Sequence, residues 1–511
     1  MSTVGTVVAV TSCVIASGLA SLRWLRVAQR EHYLPGSTTR FALRWWGIRP
    51  ESFVLLVLGL AGLIAAPWIP LAAVATAVAV GVGPIGLAIK GRTSALAWTR
   101  RLKTLAGTSL GCWLIVLVVA SLLGAPAVGA ALACLLVPVL IDAGLAIVAP
   151  FEDRASGRFV EQAATRLAQV APTVVGITGS YGKTSTKNHL TALIGTDRAV
   201  VPSPRSFNNR AGLARAINEH LAPGTDVFIA EMGTYGPGEI ADMCRWCTPS
   251  IAIITAIGPV HLERFGSLDV TTTAKAEITE GASTVILNVD DGRLRVLGDA
   301  LERPGRHVIR VSGHDSSADV AIISVDEMWQ IWIDGAMVAT SPVLTGVQPT
   351  NVGCALAAAL AVGVDAGAAA QRVASLTNAE NRLAVVRAPS GVMVVDDTFN
   401  SNPAGAAAAL RVLGGLDVQG RRVLVTPGMI ELGRDQEVEN QRFAANAAEL
   451  CDTIVIVGLT NRRSLRAGIR QANGAEVIEV DHRESAVAWV RSTLGAGDAV
   501  LYENDLPDNY P

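Results

Sequence analysis

The chain has 511 residues, 42 lysines and arginines against 44 aspartates and glutamates, and is 50% hydrophobic but only 17% charged. An ordinary soluble domain carries nearer ~25% charged residues, and ~150 residues per domain predicts two to four domains, part of the chain being built for lipid. The net charge of −2 removes the basic excess a nucleic-acid partner requires, and seven cysteines, several in apolar segments, exclude a disulfide-stapled scaffold and fit a reducing compartment.

The apolar residues concentrate in residues 1–150. Residues 4–22 form a run closed by Arg23, Trp24 and Arg26. Residues 53–89 are apolar for about twice the length of one span, with Pro67 and Pro70 in the middle, and runs at 105–123 and 129–149 are split by Gly124, Pro126 and Gly129. A span needs ~20 apolar residues, so five are expected, with 53–89 a helical hairpin turning at Pro67–Pro70. A single long span there would reverse the preceding sidedness. A cleaved signal peptide is disfavoured, because no basic region precedes the first apolar core. Arg23, Arg26, Arg30, Arg40, Arg44 and Arg49 lie in one connection and Lys90, Arg92, Arg100, Arg101 and Lys103 in another. The positive-inside rule makes both cytoplasmic. The expectation is an integral protein of the cell (inner) membrane, in contact with its lipid, with the N-terminus outside and everything after Pro150 inside. Asp142, within the last run, reads equally as a functional intramembrane carboxylate or as a residue near a helix end.

From Phe159 the chain reads as globular α/β protein. An amphipathic helix, Val160 to Val170, leads to a buried-strand pattern ending at Ile177. Thr178-Gly179-Ser180-Tyr181-Gly182-Lys183-Thr184-Ser185-Thr186 follows and opens a helix. Strand, glycine loop, Gly-Lys-Thr and helix make a phosphate loop. Backbone N–H groups of Gly179 to Ser185 cradle phosphates, Lys183 neutralises the β,γ-phosphates, and the Thr184 hydroxyl holds Mg²⁺. Ile177 stands where the common pattern has its first glycine. Downstream, Asp226 to Gly233 is a strand ending in the carboxylate Glu231. Ile251 to Thr255 is a strand followed by Gly258-Pro259-Val260-His261, and a helix carries Lys275. Strand ends are where open α/β sheets place ligand groups.

The loop, which omits the early glycine, and the order Glu231, His261, Lys275 after it resemble the Mur ligases. That resemblance implies ATP as substrate and two Mg²⁺ sites, with Thr184, Glu231, His261 and Lys275 as ligands. It also implies that Lys275 carries a CO₂-derived carbamate, an anionic oxygen donor where an ammonium would repel the cation. Lys183, Glu231, His261 and Lys275 become the catalytic candidates. Ser206-Phe207-Asn208-Asn209-Arg210 resembles the family's substrate-proximal loop. In the branch that adds D-alanyl-D-alanine an acidic residue follows the two asparagines, and here it is Arg210. Asn351 matches the adenine contact, and Arg382, in Asn381-Arg382, matches an arginine that reaches ATP.

Val392 to Pro403, with Asp396-Asp397-Thr398-Phe399-Asn400-Ser401-Asn402-Pro403, resembles that branch's Asp-Asp-x-Tyr-Asn-x-Asn-Pro signature. Asp397 is the candidate ribose contact, and Asn400 and Asn402 join Asn208, Asn209 and Arg210 as substrate candidates. Gly428-Met429-Ile430-Glu431-Leu432-Gly433 matches the same branch. Strands near 453–457, 476–480 and 499–502 alternate with helices in a dinucleotide-fold-like last domain. Cys244-Arg245-Trp246-Cys247 lacks a second pair at metal-ligand spacing and reads as coincidence. The acidic ending from Glu503 to Asp508 reads as a docked tail or as solvated surface.

The expected organisation is therefore a helical membrane domain (1–150), a central phosphate-loop α/β domain of the Mur ligase type (155–382) and a Rossmann-like C-terminal domain (383–511). The expected activity is ATP-dependent amide-bond formation through an acyl phosphate, joining a small-molecule or lipid-linked carboxylate acceptor to an amino acid or dipeptide, with envelope-synthesis partners. Within the enzyme class the alternative is a polyglutamate-type synthetase. A transporter driven by the same loop and an inactive scaffold are the readings from other classes. Asp142 as the sole charge within the spans argues against the first, and the intact Lys183, Glu231, His261 and Lys275 argue against the second.

Overall fold

A computed structural model of the chain describes residues 3–91, 95–204, 207–344, 346–377, 383–398, 401–472, 474–506 and 510. It divides into two compact units, residues 1–155 with 506–511, and residues 156–505.

The first unit is helical: Thr3–Arg30, Ser37–Ile48, Pro50–Ala65, Ala73–Val82, Arg100–Leu122, Pro126–Leu135 and the beginning of Val137–Val170. Thr3–Arg30 and Arg100–Leu122 are long and apolar enough to cross a membrane. Counting the bent pairs Ser37–Ile48 with Pro50–Ala65 (112°) and Pro126–Leu135 with Val137–Glu152 (75°) as one span each gives up to four. Pro50–Ala65 and Ala73–Val82 fold back on one another, Thr76 Oγ1 donating to the Gly59 carbonyl at 2.8 Å. A Cβ on Gly62 would stand 2.7 Å from the Ala72 carbonyl, so only glycine allows this approach. These arms have 16 and 10 residues, less than a full crossing each.

Packing in this unit combines large buried side chains, among them Trp24, Phe41, Trp45 and Trp113, with a seam of small residues: Ala9, Cys13, Ala16 and Ala20 of the first helix and Ala130, Ala131, Ala133 and Cys134. Val4, Ile15, Leu43, Ile64, Trp68, Leu122 and Leu123 are more than half exposed. Small residues let helix backbones approach closely where lipid removes the hydrophobic drive between them, and so much exposed apolar surface fits a membrane rather than water.

The buried polar groups satisfy helix ends. Asp142 accepts from the Thr38 and Thr39 backbone N–H groups at 3.2 and 2.8 Å and from both hydroxyls, closing the first turn of Ser37–Ile48. It lies inside the first turns of its own helix, Val137–Val170, and satisfies the start of another. Arg23 donates to the carbonyls of Val80, Gly81 and Gly83 at 3.3, 2.8 and 2.7 Å, beyond the reach of intrahelical partners at the end of Ala73–Val82. Tyr510 stands edge-on to Phe41 with ring centroids 5.0 Å apart, and the Arg44 guanidinium lies over both rings, so this part of the ending is docked.

The second unit holds two sheets. The first has nine strands: β1 (Thr173–Thr178), β2 (Val200–Pro202), β3 (Val227–Glu231), β4 (Ile251–Ile254), β5 (Thr284–Asn288), β6 (His307–Ser312), β7 (Val320–Val325), β8 (Met328–Ile333) and β9 (Ala336–Pro342). Their order is β2-β3-β1-β4-β5-β6-β7-β8-β9, parallel from β2 to β7 and antiparallel beyond. The central strands are unbroken apolar runs because helices cover both faces. Leu190, Leu193 and Ile194 of the helix Lys183–Ile194 pack with Val175, Ile177 and Ile229, beside Val352, Ala355 and Leu356 of Pro349–Ala361.

The second sheet comprises β10 (Ala384–Arg387), β11 (Met393–Asp397), β12 (Arg422–Thr426), β13 (Thr453–Val457), β14 (Glu476–Val480) and β15 (Ala499–Glu503). It is ordered β10-β11-β15-β12-β13-β14, with only β10 antiparallel to its neighbour. In both sheets the carboxyl ends of neighbouring parallel strands carry polar residues: Thr178, Glu231 and Thr255 in one, Asp397, Thr426 and Glu503 in the other. Asp142→Ala removes the acceptor for four donors at one helix start, and we expect a loss of about 1–3 kcal/mol. Thermal unfolding in detergent checks this, with Asp142→Asn losing less than alanine.

Candidate active site

The loop between β1 and the helix Lys183–Ile194 is shaped by two glycines. Gly179 has φ +152°, and a Cβ there would lie 2.0 Å from Thr255 Oγ1; Gly182 has φ +80°, and a Cβ would lie 2.2 Å from Asn351 Oδ1. No side chain fits at either position, so the cradle of backbone groups a triphosphate needs stays open. Ser180 holds the loop to the segment after β4: its N–H donates to the Ala256 carbonyl at 2.8 Å, and its Oγ bonds the Gly258 carbonyl and N–H at 3.1 and 3.0 Å. The Tyr181 ring lies against Gly258. Burial pushes its phenol above the ordinary range. Lys183 Nζ donates to the Gly179 carbonyl at 2.6 Å, and Ser185 is half-buried in the first helical turn. Asn351 is thus placed against the phosphate loop.

Glu231, at the end of β3, is the centre of the site. It is 3% exposed. Thr184 Oγ1 lies 3.1 Å from both carboxylate oxygens, Lys187 Nζ 2.9 Å from one, and Asn208 Nδ2 3.4 Å from the other. Burial alone would raise this carboxyl. The charges of Lys187 and Lys183, with hydrogen bonds from Lys187 and Thr184, outweigh it and hold Glu231 below the usual carboxylate range. Lys187 also donates to the Ser203 carbonyl at 2.9 Å. Carboxylate and hydroxyl oxygens side by side at the mouth of a phosphate loop are the hard donors Mg²⁺ requires, so these residues fit a magnesium–nucleotide.

Lys275 lies on the helix Leu268–Ala276 and is 4% exposed. Burial, with the charge of Lys183 added, pushes its ammonium well below the ordinary lysine range. His261 sits in the left-handed region (φ 57°) with Tyr235 edge-on at 4.8 Å, and its Nδ1 bonds the Glu431 carboxylate. That bond leaves Nε2 as the nitrogen for another partner. Among the described residues there is no group of three or more His, Cys, Asp or Glu side chains arranged to hold a metal ion. Glu231 is accordingly joined with Thr184, Lys183, Lys187 and Asn208, whereas His261 is joined with Glu431.

The remaining candidates divide. Asn209 caps the helix Arg210–His220, accepting from Gly212 N at 2.9 Å, and Asn402 caps Pro403–Gly415, accepting from Gly405 N at 2.8 Å. Both shape backbone. Arg210 pairs with Asp242 at 3.0 Å. Asp397 is buried and accepts from Leu383 N at 3.3 Å. Arg382 and Asn400, with Ser206, Asn381 and Phe399 of their motifs, lie outside the described residues. Cys244 and Cys247 are inert: burial pushes the Cys244 thiol up to about 12 and Cys247 higher.

Sequence reasoning missed three residues. Lys187 lies four positions after Lys183, on the same helix face, which was the signal. Glu431 lies inside the Gly428–Gly433 motif, and only the fold brings it to His261. Glu503, the last residue of β15, is fully buried; burial and the neighbouring Asp397 charge, against a hydrogen bond from Thr426, push it up to about 8. The strand-end rule that found Glu231 applies to it equally.

Residues 177–361 match the Mur ligase middle domain and residues 381–502 the Mur ligase glutamate ligase domain. The chain is 30% identical over 407 residues to the UDP-N-acetylmuramoyl-tripeptide--D-alanyl-D-alanine ligase of Mycobacterium leprae, covering 70% of this chain and 78% of that one. It is 32% identical over 410 residues to the protein of that name from Mycobacterium tuberculosis, covering 71% and 78%. Two solved structures share the fold. MurF from Acinetobacter baumannii has a TM-score of 0.59 at 22% identity, covering 68% of this chain and 77% of that one. MurF from Thermotoga maritima in complex with ADP has 0.58 at 24%, covering 68% and 80%.

Lys187→Met leaves the buried Glu231 short of its ion-pair partner, and we expect a loss of about 3–5 kcal/mol at neutral pH. The folded-state pKa of Glu231 lies below its unfolded value, so its stabilisation is present above the unfolded pKa and lost as pH falls through the folded one. The variant's acid transition therefore moves to higher pH. Urea unfolding from pH 3 to 8 measures both effects.

Proposed function

Because the chain belongs to the Mur ligase family and is an ATP-dependent, ADP-forming ligase, we propose that it joins an amine such as D-alanyl-D-alanine to a carboxylate acceptor in peptidoglycan synthesis, working at the inner face of the membrane that anchors its first 150 residues. The observation that carries this reading is the convergence of Thr184, Lys187 and Asn208 on buried Glu231, with Lys275 buried within the influence of Lys183.

The glycine loop from Gly179 binds the triphosphate, and Lys183 turns from the Gly179 carbonyl to the β,γ-phosphates. Asn351 contacts the adenine and Asp397 the ribose. Thr184 and Glu231 would hold one Mg²⁺, and His261 and Lys275 would contribute to a second. When bound, Mg²⁺ offsets charge on the phosphoryl group as it passes to the acceptor carboxylate.

Carbamate formation requires an uncharged amine, and burial with the charge of Lys183 favours that form of Lys275. Its nitrogen forms a bond to the carbon of CO₂, one C=O π pair moves onto oxygen, and the nitrogen's proton leaves to water. The anionic carbamate then offsets Lys183. Asn208 orients acceptor or amine beside Glu231, the amine displaces phosphate from the acyl phosphate, and the amide forms. The Glu431–His261 bond supports a role for the C-terminal sheet in covering the centre and excluding water from the acyl phosphate.

The buried small residues and exposed large ones of the first unit support membrane anchorage. An acceptor at the bilayer surface, nucleotide-linked or lipid-linked, follows from that anchorage. Under positive-inside logic the N-terminus is outside and the catalytic unit cytoplasmic.

The test is phosphate release from the detergent-purified full chain with ATP, Mg²⁺ and pairs of acceptor and amine. We expect turnover with a muramoyl tripeptide, UDP-linked or lipid-linked, plus D-alanyl-D-alanine, and retention of the chain in carbonate-washed membranes. Lys275→Ala should lose roughly 10²–10³-fold or more and regain part of it with added short carboxylic acids. Turnover with glutamate and a glutamyl polymer, and none with the dipeptide, would replace this reading by a polymer synthetase.

A further inference from the structure

β15 lies between β11 and β12 in the second sheet, and Glu503 is its last residue, fully buried. One carboxyl oxygen bonds the Ser401 hydroxyl, in the loop that leaves β11. The other bonds Thr426 Oγ1 at 2.5 Å, at the end of β12. The Thr426 hydroxyl in turn accepts from Gly428 N at 2.9 Å, and the adjoining Asn504 donates its side-chain amide to the Gly428 carbonyl at 2.7 Å and its N–H to the Asp397 carbonyl at 3.1 Å. The end of β15 therefore ties together two loops. One begins at Asp397. The other is the turn 427–433, which Asn440 and Asn461 also hold through Met429 and which carries Glu431 to His261.

We propose that Glu503 is a positioning residue of the ligase reaction: by bonding Ser401 on one side and Thr426 on the other, it holds Asp397 and Glu431 in the register that the nucleotide and His261 require. The proposal rests on the ligase reading above. A hydrocarbon side chain would fill the same space and take from the Ser401 and Thr426 hydroxyls the partner that joins the two loops.

The charge state supports the role. Burial and Asp397 push Glu503 up to about 8, so it is mostly protonated at neutral pH. Asp397 is the charged group that faces it from β11; Asp396 of that strand is bonded to Thr398, β12 presents the non-titrating Thr426, Glu431 is held by His261, and Asp505 pairs with Arg483. Ionisation of Glu503 sets a second negative charge beside Asp397 and loosens both loops.

The test compares wild type with Glu503→Gln and Glu503→Ala in the full chain, by kcat and KM for ATP from pH 6 to 9.5 and by hydrogen exchange of segments 401–405 and 427–433. Wild-type kcat/KM for ATP should fall above pH ~8 as protection of both segments falls together. Glu503→Gln, neutral throughout, should stay within about 3-fold of wild type at pH 7 and lack the alkaline fall. Glu503→Ala should raise KM for ATP by roughly 10-fold with a smaller change in kcat. Should the alanine variant not fold, the glutamine profile decides. An unchanged alkaline limb in Glu503→Gln, or loop protection indifferent to both residue and pH, overturns the proposal. If wild type turns over no acceptor pair but Glu503→Gln still removes the alkaline loosening, the ligase reading fails and the clamp stands.

Discussion

A carboxylate that is 3% exposed at the end of a central strand cannot stand alone, and the placement of Glu231 constrains much of the catalytic unit. Its charge is kept by Lys187 and Thr184 from the helix that follows the phosphate loop, and by Asn208 from the segment before the helix Arg210–His220. Those residues reach it only because β3 and β1 pair in parallel with Ile177 opposite Glu231, which brings the start of the glycine loop and the carboxylate to one edge. Gly179 and Gly182 are then obligatory, since a side chain at either would collide with Thr255 or Asn351. Lys275 is held below its ordinary range first by burial and then by the charge of Lys183.

The first unit exposes far more apolar surface than the second. Its interior joins a seam of alanine and cysteine to large buried side chains such as Trp24, Phe41, Trp45 and Trp113, while valine, leucine, isoleucine and tryptophan also stand exposed on its outside. The groups such an exterior cannot satisfy are helix ends, and the buried charges are found there: Asp142 at the start of one helix, Arg23 at the end of another. A carboxylate bound by two N–H groups and two hydroxyls has its hydrogen-bonding capacity used within the fold. This weighs against a transport role for Asp142.

The strands β1, β3, β4, β11 and β12 were readable as short apolar runs ended by a polar residue, and β13 and β14 by their alternation with helices. The sequence pattern stopped β15 at Tyr502, one residue early, because a glutamate looks like the beginning of an acidic tail. The register that buries Glu503 between β11 and β12 is a long-range property. Among site residues, Gly179, Gly182, Lys183, Thr184 and Glu231 were legible because a local motif fixes their geometry. Asn209 and Asn402, substrate candidates by motif, each cap a helix through the side-chain oxygen; capping and ligand binding use the same asparagine chemistry, and a linear sequence does not separate them. Lys187 and Glu431 were passed over because each acts through a residue distant in the chain. The span count was read from apolar length alone, and bends of 112° and 75° show that apolar runs need not be straight helices.

On the proposed reading, Glu231 is where Mg²⁺ and the nucleotide meet. The most direct test of this is the Mg²⁺ dependence of ATP binding, measured by calorimetry on the detergent-purified full chain and on Glu231→Gln. The account predicts that Mg²⁺ tightens ATP binding to wild type by roughly 10-fold or more, while Glu231→Gln binds ATP without Mg²⁺ at least as well as wild type and gains little when the ion is added. Equal tightening by Mg²⁺ in the two proteins would contradict it.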